Sequence, residues 1–264
     1  MFLQWAGIRR VAHVRANSGD TSMKAPVRFP KVVAPFERST NINGDYTVDP
    51  TVNDTYSWVF DQASEVEAVE KLHGTNMAIR VEDGDIVAAA RRNNDRTMSL
   101  VTPYAYSDRH FVRGVQNSRK RFSYMEKDFD GDGWYFGELV GPNVHDNPYK
   151  LDEHLFVPFE WLRRKATYKS YGKYSVEYDG ISDWFKGGLF SLFYALMHGI
   201  DDLNEASVSN GVFVEGIVFV HPNFDGHVGT ADPETTATET HDNVAVPLAK
   251  LRRDMFDWFE GERH

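Results

Sequence analysis

The sequence predicts an α+β protein in which short antiparallel strands outnumber helices. Strand-like segments follow one another with turn residues between them, and helical periodicity is confined to one stretch. No internal segment has the composition of a linker, so we expect residues 23–264 to form a single domain. The 18 Phe, 12 Tyr and 6 Trp among 264 residues are enough to fill one large core.

The N-terminal part of the chain predicts an extension and then a region of loops. Residues 1–22 differ in composition from the rest of the chain and show no signal-peptide pattern, so we expect them to be a flexible extension outside the fold. Residues 31–61 are rich in Pro, Asn, Thr and Asp with scattered aromatic residues, which predicts loops and short strands. Within them, Trp58 to Phe60 are expected at an edge of the core.

Three later segments have the pattern of strands. Residues 77–81 alternate in polarity and are joined by the turn 82–85 to the apolar run 86–90, which predicts a β-hairpin. A second strand is expected over 134–140, because Gly141-Pro142-Asn143 ends it. A third is expected over 211–220, with a polar, threonine-rich loop over 225–243 that leads into 245–251.

Helical spacing is clear only within 181–200. There, large apolar residues recur at intervals of three and four, as on one face of a helix; they are Trp184, Phe185, Leu189, Leu192, Phe193, Leu196 and Met197.

Composition excludes several classes of protein. There are 29 Lys and Arg against 39 Asp and Glu, a formal net charge of −10. The absence of cysteine excludes disulfides, thiolate metal sites and cysteine nucleophiles, and fits a cytoplasmic protein. No apolar run is long enough to span a membrane, so no membrane partner is expected. The histidines lack zinc-ligand spacing, and no P-loop, dinucleotide-binding or G-x-S-x-G motif occurs.

The segment E-K-L-H-G-T-N, residues 70–76, combines a lysine with a glycine three residues later. Glycine lets the backbone approach a ligand closely, and a lysine that is desolvated or placed near other cations becomes a nucleophile. Taken alone, Lys71 and Gly74 are more typical of a surface lysine beside a turn.

Two glutamates, Glu138 and Glu215, lie within apolar strand-like segments and are each next to a glycine. Such carboxylates are rarely buried without a cation or a hydrogen-bonding ligand, so the pair suggests a site for a sugar hydroxyl or Mg²⁺. The alternative is that each faces solvent from an alternating strand.

Basic residues near the C-terminus suggest an anion site. Lys250 and Arg252 are two residues apart, which on a strand directs both to one face, where they would suit a polyphosphate. The alternative is a solvated basic end of the chain. Three further basic runs could add a groove for nucleic acid whose binding would weaken with salt; they are Arg91-Arg92, Arg119-Lys120-Arg121 and Arg163-Arg164-Lys165.

Taken in order, the blocks E-K-L-H-G-T-N (70–76), Arg91 or Arg92, F-G-E-L-V-G-P (136–142), F-V-P-F-E (156–160), V-E-G-I-V-F (214–219) and A-K-L-R-R-D-M-F (249–256) resemble the motifs of the covalent nucleotidyltransferase superfamily. Histidine in K-x-H-G makes them similar to its ATP-dependent RNA ligases. The resemblance implies an ATP-grasp-like adenylation domain, with antiparallel sheets and inserted helices around a nucleotide pocket. Few residues come after the last block, so no separate C-terminal OB domain is expected.

The resemblance also implies a role for each matching residue. Lys71 would attack ATP and carry AMP, while Glu138 would hold the ribose, Glu215 would organise Mg²⁺ or Mn²⁺ together with Glu138, and Lys250 and Arg252 would grip the phosphates. Arginine instead of lysine at position 252 is a departure from the family pattern. The rest of the nucleotide pocket would comprise Glu70, Leu72, His73, Gly74, Asn76, Arg91 or Arg92, and Phe159 with Phe156 as the alternative adenine-stacking ring.

The function that the resemblance implies is ATP-dependent sealing of an RNA 5′-phosphate to a 3′-hydroxyl through lysyl-AMP, acting on nicked or broken RNA. A DNA ligase, a capping-type guanylyltransferase, an enzyme that adenylylates another substrate, and a nucleotide- or RNA-binding module without catalysis are the alternatives. The sequence does not indicate an oligomeric state.

Overall fold

The structure, a computed structural model, describes residues 23–26, 31–95, 97–121, 129, 131–173, 176–187, 189–200, 212–224, 230–231 and 247–261. The strands are β1 Phe36–Thr40, β2 Tyr46–Val52, β3 Glu67–Lys71, β4 Thr75–Glu82, β5 Asp85–Arg92, β6 Met98–Leu100, β7 Gly133–Val140, β8 Leu155–Pro158, β9 Gly216–Val220, β10 Thr230–Ala231 and β11 Leu248–Arg252. The α-helices are α1 Trp58–Asp61, α2 Arg109–Arg121, α3 Phe159–Lys165, α4 Tyr178–Gly187 and α5 Leu192–Met197.

The strands form three antiparallel sheets. β1 and β2 make a hairpin, and β3, β9 and β11 make a three-stranded sheet with β9 at its centre. The third sheet has six strands in the order β10-β7-β4-β5-β6, with β8 also paired to β7. Antiparallel sheets with few helices confirm the predicted α+β class.

The hairpin predicted over residues 77–90 is present as β4 and β5. Its turn is made by Asp83 and Gly84, whose φ angles are 50° and 77°. Two successive positive φ values belong to the turn type whose twist matches that of paired strands. The strand expected over 134–140 is also confirmed, as β7.

The faces of the six-stranded sheet pack differently. Met77, Ile79 and Tyr135 belong to a core cluster that also contains Val115 of α2. Ala78 and Phe136, which alternate with them, belong to a smaller cluster on the other face, where Phe159 packs. Side chains alternate along a strand, so Asn76 and Glu138 lie on this second face. Both residues line the cavity described below, together with residues of the three-stranded sheet.

Two predicted elements begin or end elsewhere. The helix expected within 181–200 is two helices, because residues 189–191 leave the helical path: Phe190 bridges Phe213, and the Ser191 hydroxyl accepts a hydrogen bond from the Tyr194 amide, at 2.9 Å, as the N-cap of α5. The strand expected over 211–220 begins only at Gly216, and Glu215 lies in the bend before it. Hydrophobic spacing carries no signal for either break.

The segment expected at an edge of the core, residues 58–60, is part of the short helix α1; Val59 is fully buried while its two neighbours are partly buried against the core. Helices α2 and α3 were not predicted. The extension 1–22, Gly211 and most of the loop 225–243 lie outside the described residues, although Thr230 and Ala231 pair with β7. Across the part of the chain that is described, no helix is both long and apolar enough to cross a membrane.

Candidate functional site

A cavity of about 520 Å³ is lined by residues of the three-stranded sheet and of the face of the six-stranded sheet on which Phe159 packs. Most residues singled out from the sequence line it. The lining includes Glu70, Lys71, Leu72, Gly74, Asn76, Arg92, Glu138, Phe159, Lys250 and Arg252. Segments far apart in the chain therefore converge on one pocket.

Lys71 is the last residue of β3, and its ammonium group contacts Glu215. Nζ lies 2.6 Å from Oε2 of Glu215 and donates a second, longer hydrogen bond of 3.3 Å to the Leu72 carbonyl. The contact is a consequence of strand pairing, since Lys71 is opposite Gly216 and Glu215 comes directly before that residue. The two side chains are 21% and 14% exposed, so the pair is shielded but can still be reached by a ligand.

Two further cations share this face of the sheet. Lys250 and Arg252 are on β11, opposite Val218 and Gly216 of β9. Gly216 thus has Lys71 on one side and Arg252 on the other. A Cβ at that position would lie 2.3 Å from the Leu251 carbonyl oxygen, so only glycine allows the strands to pack this closely.

The cations in the pocket affect one another. Burial, together with the charges of Lys71, Arg252 and Arg38, lowers the pKa of Lys250 to about 8. Arg252 also forms an ion pair with Asp254, at 3.1 Å. A pocket that concentrates positive charge in this way is suited to a polyanion.

Glu138 is the carboxylate on the opposite wall. It is on β7, opposite Asn76 of β4, and burial raises its pKa to about 7, with the charge of Lys71 acting in the opposite direction. Its Oε2 is shielded from solvent and has no hydrogen-bond partner among the described residues. A buried carboxylate oxygen without a donor is costly and is therefore a candidate for binding a ligand or a cation.

Glu70 also borders the cavity, but its carboxylate is used elsewhere. It is 1% exposed and accepts hydrogen bonds from the Ser191 hydroxyl at 2.5 Å and from the Phe193 amide at 2.8 Å. Burial raises its pKa to about 7. This carboxylate satisfies amides at the start of α5, so it stabilises the fold around the neighbouring lysine.

Strand alternation separates Arg91 from Arg92. Arg92 lines the cavity. Arg91 points to the opposite face of β5, where its Nε donates to Asp108 at 2.9 Å and its Nη1 donates to Asn93 at 2.9 Å. Of the two arginines that the sequence left as alternatives, only Arg92 is placed to contact a ligand in the cavity.

The two candidate aromatic rings are separated in the same way. Phe159, the first residue of α3, lines the cavity and is partly buried. Phe156 is fully buried in the cluster behind the sheet. Phe159 is therefore the ring available for stacking on a base.

The K-x-H-G segment is fixed in position by a hydrogen bond from its backbone and by a buried side chain. Leu72 is buried, and the amide of His73 donates to the Tyr149 hydroxyl at 2.7 Å. The His73 ring stacks on His145, with centroids 4.5 Å apart, and does not line the cavity. At Gly74 a Cβ would lie 2.6 Å from the Leu139 carbonyl oxygen, so this position requires glycine.

Sequence reasoning missed Arg38 of β1, which lines the cavity and whose pKa is lowered by burial and then by the charge of Arg252. No motif marks it, because an isolated arginine in a short strand has no distinctive spacing. Arg163, noted only as part of a basic run, borders the cavity as well but forms a two-pronged ion pair with Glu67 at 2.6 and 3.0 Å.

The described residues contain no group of three or more His, Asp or Glu side chains that could hold a metal ion. Glu138 lines this pocket, whereas Glu215 is not among the lining residues and adjoins the pocket through its contact with Lys71; these two carboxylates are the candidate cation ligands. Mg²⁺ commonly uses only one or two carboxylates together with water and phosphate oxygens, so the residues present fit such an ion when nucleotide is bound.

A family model described as RNA ligase matches residues 64–227, which contain Lys71, Glu138 and Glu215.

Solved structures with similarity to the chain include Naegleria gruberi RNA ligase variants. One, in the apo form, is 12% identical over 80% of this chain and 62% of its own, with a TM-score of 0.32. Another, with ATP and Mn, is 14% identical over the same shares, with a TM-score of 0.35. A third, with AMP and Mn, is 14% identical over 52% and 38%, with a TM-score of 0.28. The chain thus spans less than two thirds of the length of these ligases. No curated protein sequence matches it.

Proposed function

Since the chain belongs to the RNA ligase family, we propose that it is an ATP-dependent RNA ligase that works through a lysyl-AMP intermediate on Lys71. The observation that carries the proposal is the Lys71 ammonium, 2.6 Å from Glu215, inside a cavity that also exposes Lys250 and Arg252. A nucleophile with an adjacent carboxylate and cations for a phosphate chain are what nucleotidyl transfer requires.

In the first step the neutral amine of Lys71 attacks the α-phosphorus of ATP. The N–P bond forms, the bond from that phosphorus to the bridging oxygen breaks, and pyrophosphate leaves with the electron pair. The ammonium must first give one proton to solvent to become the neutral amine, and the nitrogen loses a second proton as the N–P bond forms; Oε2 of Glu215 is the nearest carboxylate to receive this second proton. Glu215 also orients Nζ, so that the reacting atoms can be held in line.

The cations of the cavity bind the phosphates. Lys250 and Arg252 lie on the same sheet face as Lys71, and Arg38 adds a third positive group at the cavity wall. Their charges would stabilise the negative charge that builds up on the transferring and leaving phosphates. Because they are fixed by paired strands, little reorganisation is needed when the reaction occurs.

The opposite wall is proposed to hold the nucleoside. The Phe159 ring would stack on adenine, Glu138 would accept a hydrogen bond from the ribose, and Arg92 would contact phosphate or ribose. Asn76, whose amide donates to the Gly137 carbonyl at 3.4 Å, borders the same region. Glu70 and His73 would act behind this surface by supporting the lysine segment.

A divalent cation, Mg²⁺ or Mn²⁺, would be held by Glu215 and Glu138, consistent with the unpartnered Oε2 of Glu138. When bound, such an ion neutralises phosphate charge and favours the leaving of pyrophosphate. The ion pair with Lys71 occupies one oxygen of Glu215.

The remaining steps pass AMP to RNA and then seal the strand. The 5′-phosphate of RNA attacks the lysyl-AMP phosphorus, so that the P–N bond breaks and the amine of Lys71 is released. A 3′-hydroxyl then attacks the 5′-phosphorus of the RNA-adenylate, the new phosphodiester forms, and AMP leaves. We further propose that residues 23–264 make up one adenylation domain of nucleotidyltransferase type.

The decisive experiment incubates the protein with α-labelled ATP or GTP and a divalent cation, and denaturing electrophoresis then separates the products. We expect a covalent label from ATP that pyrophosphate reverses, that Lys71→Ala abolishes, and that 5′-phosphorylated RNA discharges with strand sealing. Label from GTP alone would indicate a guanylyltransferase, and sealing of nicked DNA in preference to RNA would indicate a DNA ligase.

Two further outcomes bear on catalysis itself. Label on Lys71 without any sealing would indicate adenylylation of another substrate. Absence of label in a folded protein whose intact mass shows no bound AMP would indicate a binding module. Lys71→Ala provides a clean control, since a partly exposed lysine at a strand end contributes little to packing.

A further inference from the structure

Helix α2 carries a line of cations on its solvent side. Arg109, Arg113 and Lys120 are all exposed, and their spacings of four and seven residues place them along one side of a helix. The line is about 16 Å long at 1.5 Å per residue. The helix contains no acidic residue, although the whole chain has a net charge of −10.

These charges are not neutralised locally. Among the described residues neither Arg113 nor Lys120 has an ion-pair partner, and the guanidinium of Arg109 lies over the Tyr106 ring, 4.5 Å from its centroid. The contiguous basic runs that the sequence suggested as a groove behave differently. Most of their arginines form ion pairs, namely Arg91 with Asp108, Arg119 with Asp85, Arg121 with Glu153 and Arg163 with Glu67.

Two tyrosines extend the cationic line beyond the start of the helix. Tyr104 is 90% exposed and Tyr106 is 79% exposed. The two rings are two residues apart, and the Arg109 guanidinium lies over the Tyr106 ring, so rings and cations belong to one surface. Exposed rings beside a row of cations are the combination that binds single-stranded nucleic acid, where rings stack on bases and cations contact phosphates.

The surface is rigid and lies on the face of the six-stranded sheet that is turned away from the cavity, so that a bound strand would reach the cavity around the sheet edge at β6. On its buried side α2 packs closely against the sheet: the Ser118 hydroxyl donates to the Phe156 carbonyl and accepts from the Phe156 amide, both at 2.8 Å. Tyr104 comes six residues after Met98, which lines the cavity, so these two residues are at most about 20 Å apart.

We propose that Tyr104, Tyr106, Arg109, Arg113 and Lys120, here named the α2 stripe, bind a single-stranded segment of the RNA substrate while its end is in the cavity. The inference rests on the proposed function for the identity of the substrate. The two exposed rings favour RNA over an acidic protein, because an acidic peptide would use the cations and have no need of stacking platforms.

The test compares three multiple variants with the wild-type chain. Arg109→Ala/Arg113→Ala/Lys120→Ala removes the charges of the stripe, and Tyr104→Ala/Tyr106→Ala removes its rings. Lys169→Ala/Lys173→Ala/Lys186→Ala removes the same amount of charge from exposed positions outside α2 and outside the basic runs and is the matched control. Thermal melting confirms that each variant is folded.

Binding of a 5′-phosphorylated single-stranded oligoribonucleotide is measured by fluorescence anisotropy over a series of salt concentrations. The stripe-charge variant should bind at least tenfold more weakly at low salt. Its slope of log affinity against log salt should be shallower by about 2, at roughly 0.7 for each phosphate that the variant no longer neutralises. The tyrosine variant should lose about tenfold in affinity with the slope unchanged. The control variant should bind as the wild type does.

Labelling of Lys71 by ATP is measured in parallel, because it needs no RNA and should be unchanged in all three variants. If the stripe variants bind RNA as tightly as the wild type, or if the control loses as much affinity as they do, the inference is wrong while the proposed function stands. If the wild type binds RNA through the stripe but never becomes labelled, the surface stands and the proposed reaction fails. If the wild type binds an acidic peptide there and no RNA, the inference is overturned.

Discussion

Two glutamates, one on each of the sheets that border the cavity, have the same shifted pKa but different surroundings. Burial raises the pKa of both Glu70 and Glu138 to about 7. Glu70 receives hydrogen bonds from a hydroxyl and an amide at the start of α5. Glu138 has an oxygen without a partner among the described residues, and Lys71 is the leading charge acting on it.

The comparison shows that a shifted pKa alone does not identify a functional carboxylate. Burial raises the pKa of any acid, whether or not the acid serves a reaction. The distinguishing feature is whether hydrogen-bond donors of the protein reach the carboxylate oxygens. A carboxylate that receives such bonds stabilises the protein, whereas one without them gains its partners only when a ligand binds. Substitutions at the two positions should therefore have opposite consequences.

The largest effect is expected from Glu138→Gln. Removing the carboxylate that is proposed to hold the ribose should lower the rate of Lys71 labelling by about 100-fold or more, while the melting temperature stays the same or rises because a shielded carboxylate oxygen without a hydrogen-bond partner among the described residues has been removed. Single-turnover labelling and thermal melting measure the two quantities. A variant that labels at the wild-type rate would remove Glu138 from the site.

Glu70→Ala should show the reverse pattern. It leaves the Phe193 amide and the Ser191 hydroxyl without their acceptor, at a cost of about 2–3 kcal/mol in the free energy of unfolding. The labelling rate per folded molecule should change little, because the carboxylate does not face the cavity. Denaturant titration gives the stability. A loss of labelling with stability unchanged would show that Glu70 acts in the reaction and that the contrast with Glu138 is wrong.

Glu70 and Glu138 should each contribute to the pH dependence of the free energy of unfolding. Both carboxyls hold their proton more tightly in the folded state than at the ordinary pKa of 4.5. Their contribution to stability is therefore present below pH 4.5 and is lost as the pH rises towards 7, with a slope of at most about 1.4 kcal/mol per pH unit for each group.

This dependence is measured by denaturant titration at several values of pH between 4.5 and 8. Glu70→Gln and Glu138→Gln should each flatten the fall, and the double variant should flatten it further. If the profile of the double variant falls as steeply as that of the wild type, the raised pKa values are wrong.

The smallest effect is expected from Ser191→Ala. The hydroxyl donates to Glu70 and caps α5 by accepting from the Tyr194 amide, so its loss should cost about 1 kcal/mol and raise the pKa of Glu70 further. Labelling should be unaffected. The stability difference from wild type should shrink in the Glu70→Gln background, which a double-mutant cycle tests; additive effects would show that the two side chains are not coupled.

Local patterns predicted much of the fold and about half of the residues that line the cavity. Alternation identified β4, the apolar run after a turn identified β5, and the strand signal ended by Gly141-Pro142-Asn143 identified β7. The ordered motifs identified Lys71, Glu138, Lys250 and Arg252 as residues that meet in one place. The prediction failed where the chain leaves a regular pattern, as at the break between α4 and α5. It also missed α2, a polar helix whose apolar side is too narrow to stand out in the sequence.

By itself, the sequence determined the strand-rich class, the chemical types available for the site and their order along the chain, because these depend on local periodicity and residue chemistry. Tertiary structure alone decided which member of each neighbouring pair faces the cavity: Lys71 and not the Glu70 carboxylate, Arg92 and not Arg91. A strand turns successive side chains to opposite faces, and only the packing of the sheets establishes which face is which. The same holds for Arg113 and Lys120 of α2, since only the folded surface decides that neither has an ion-pair partner among the described residues.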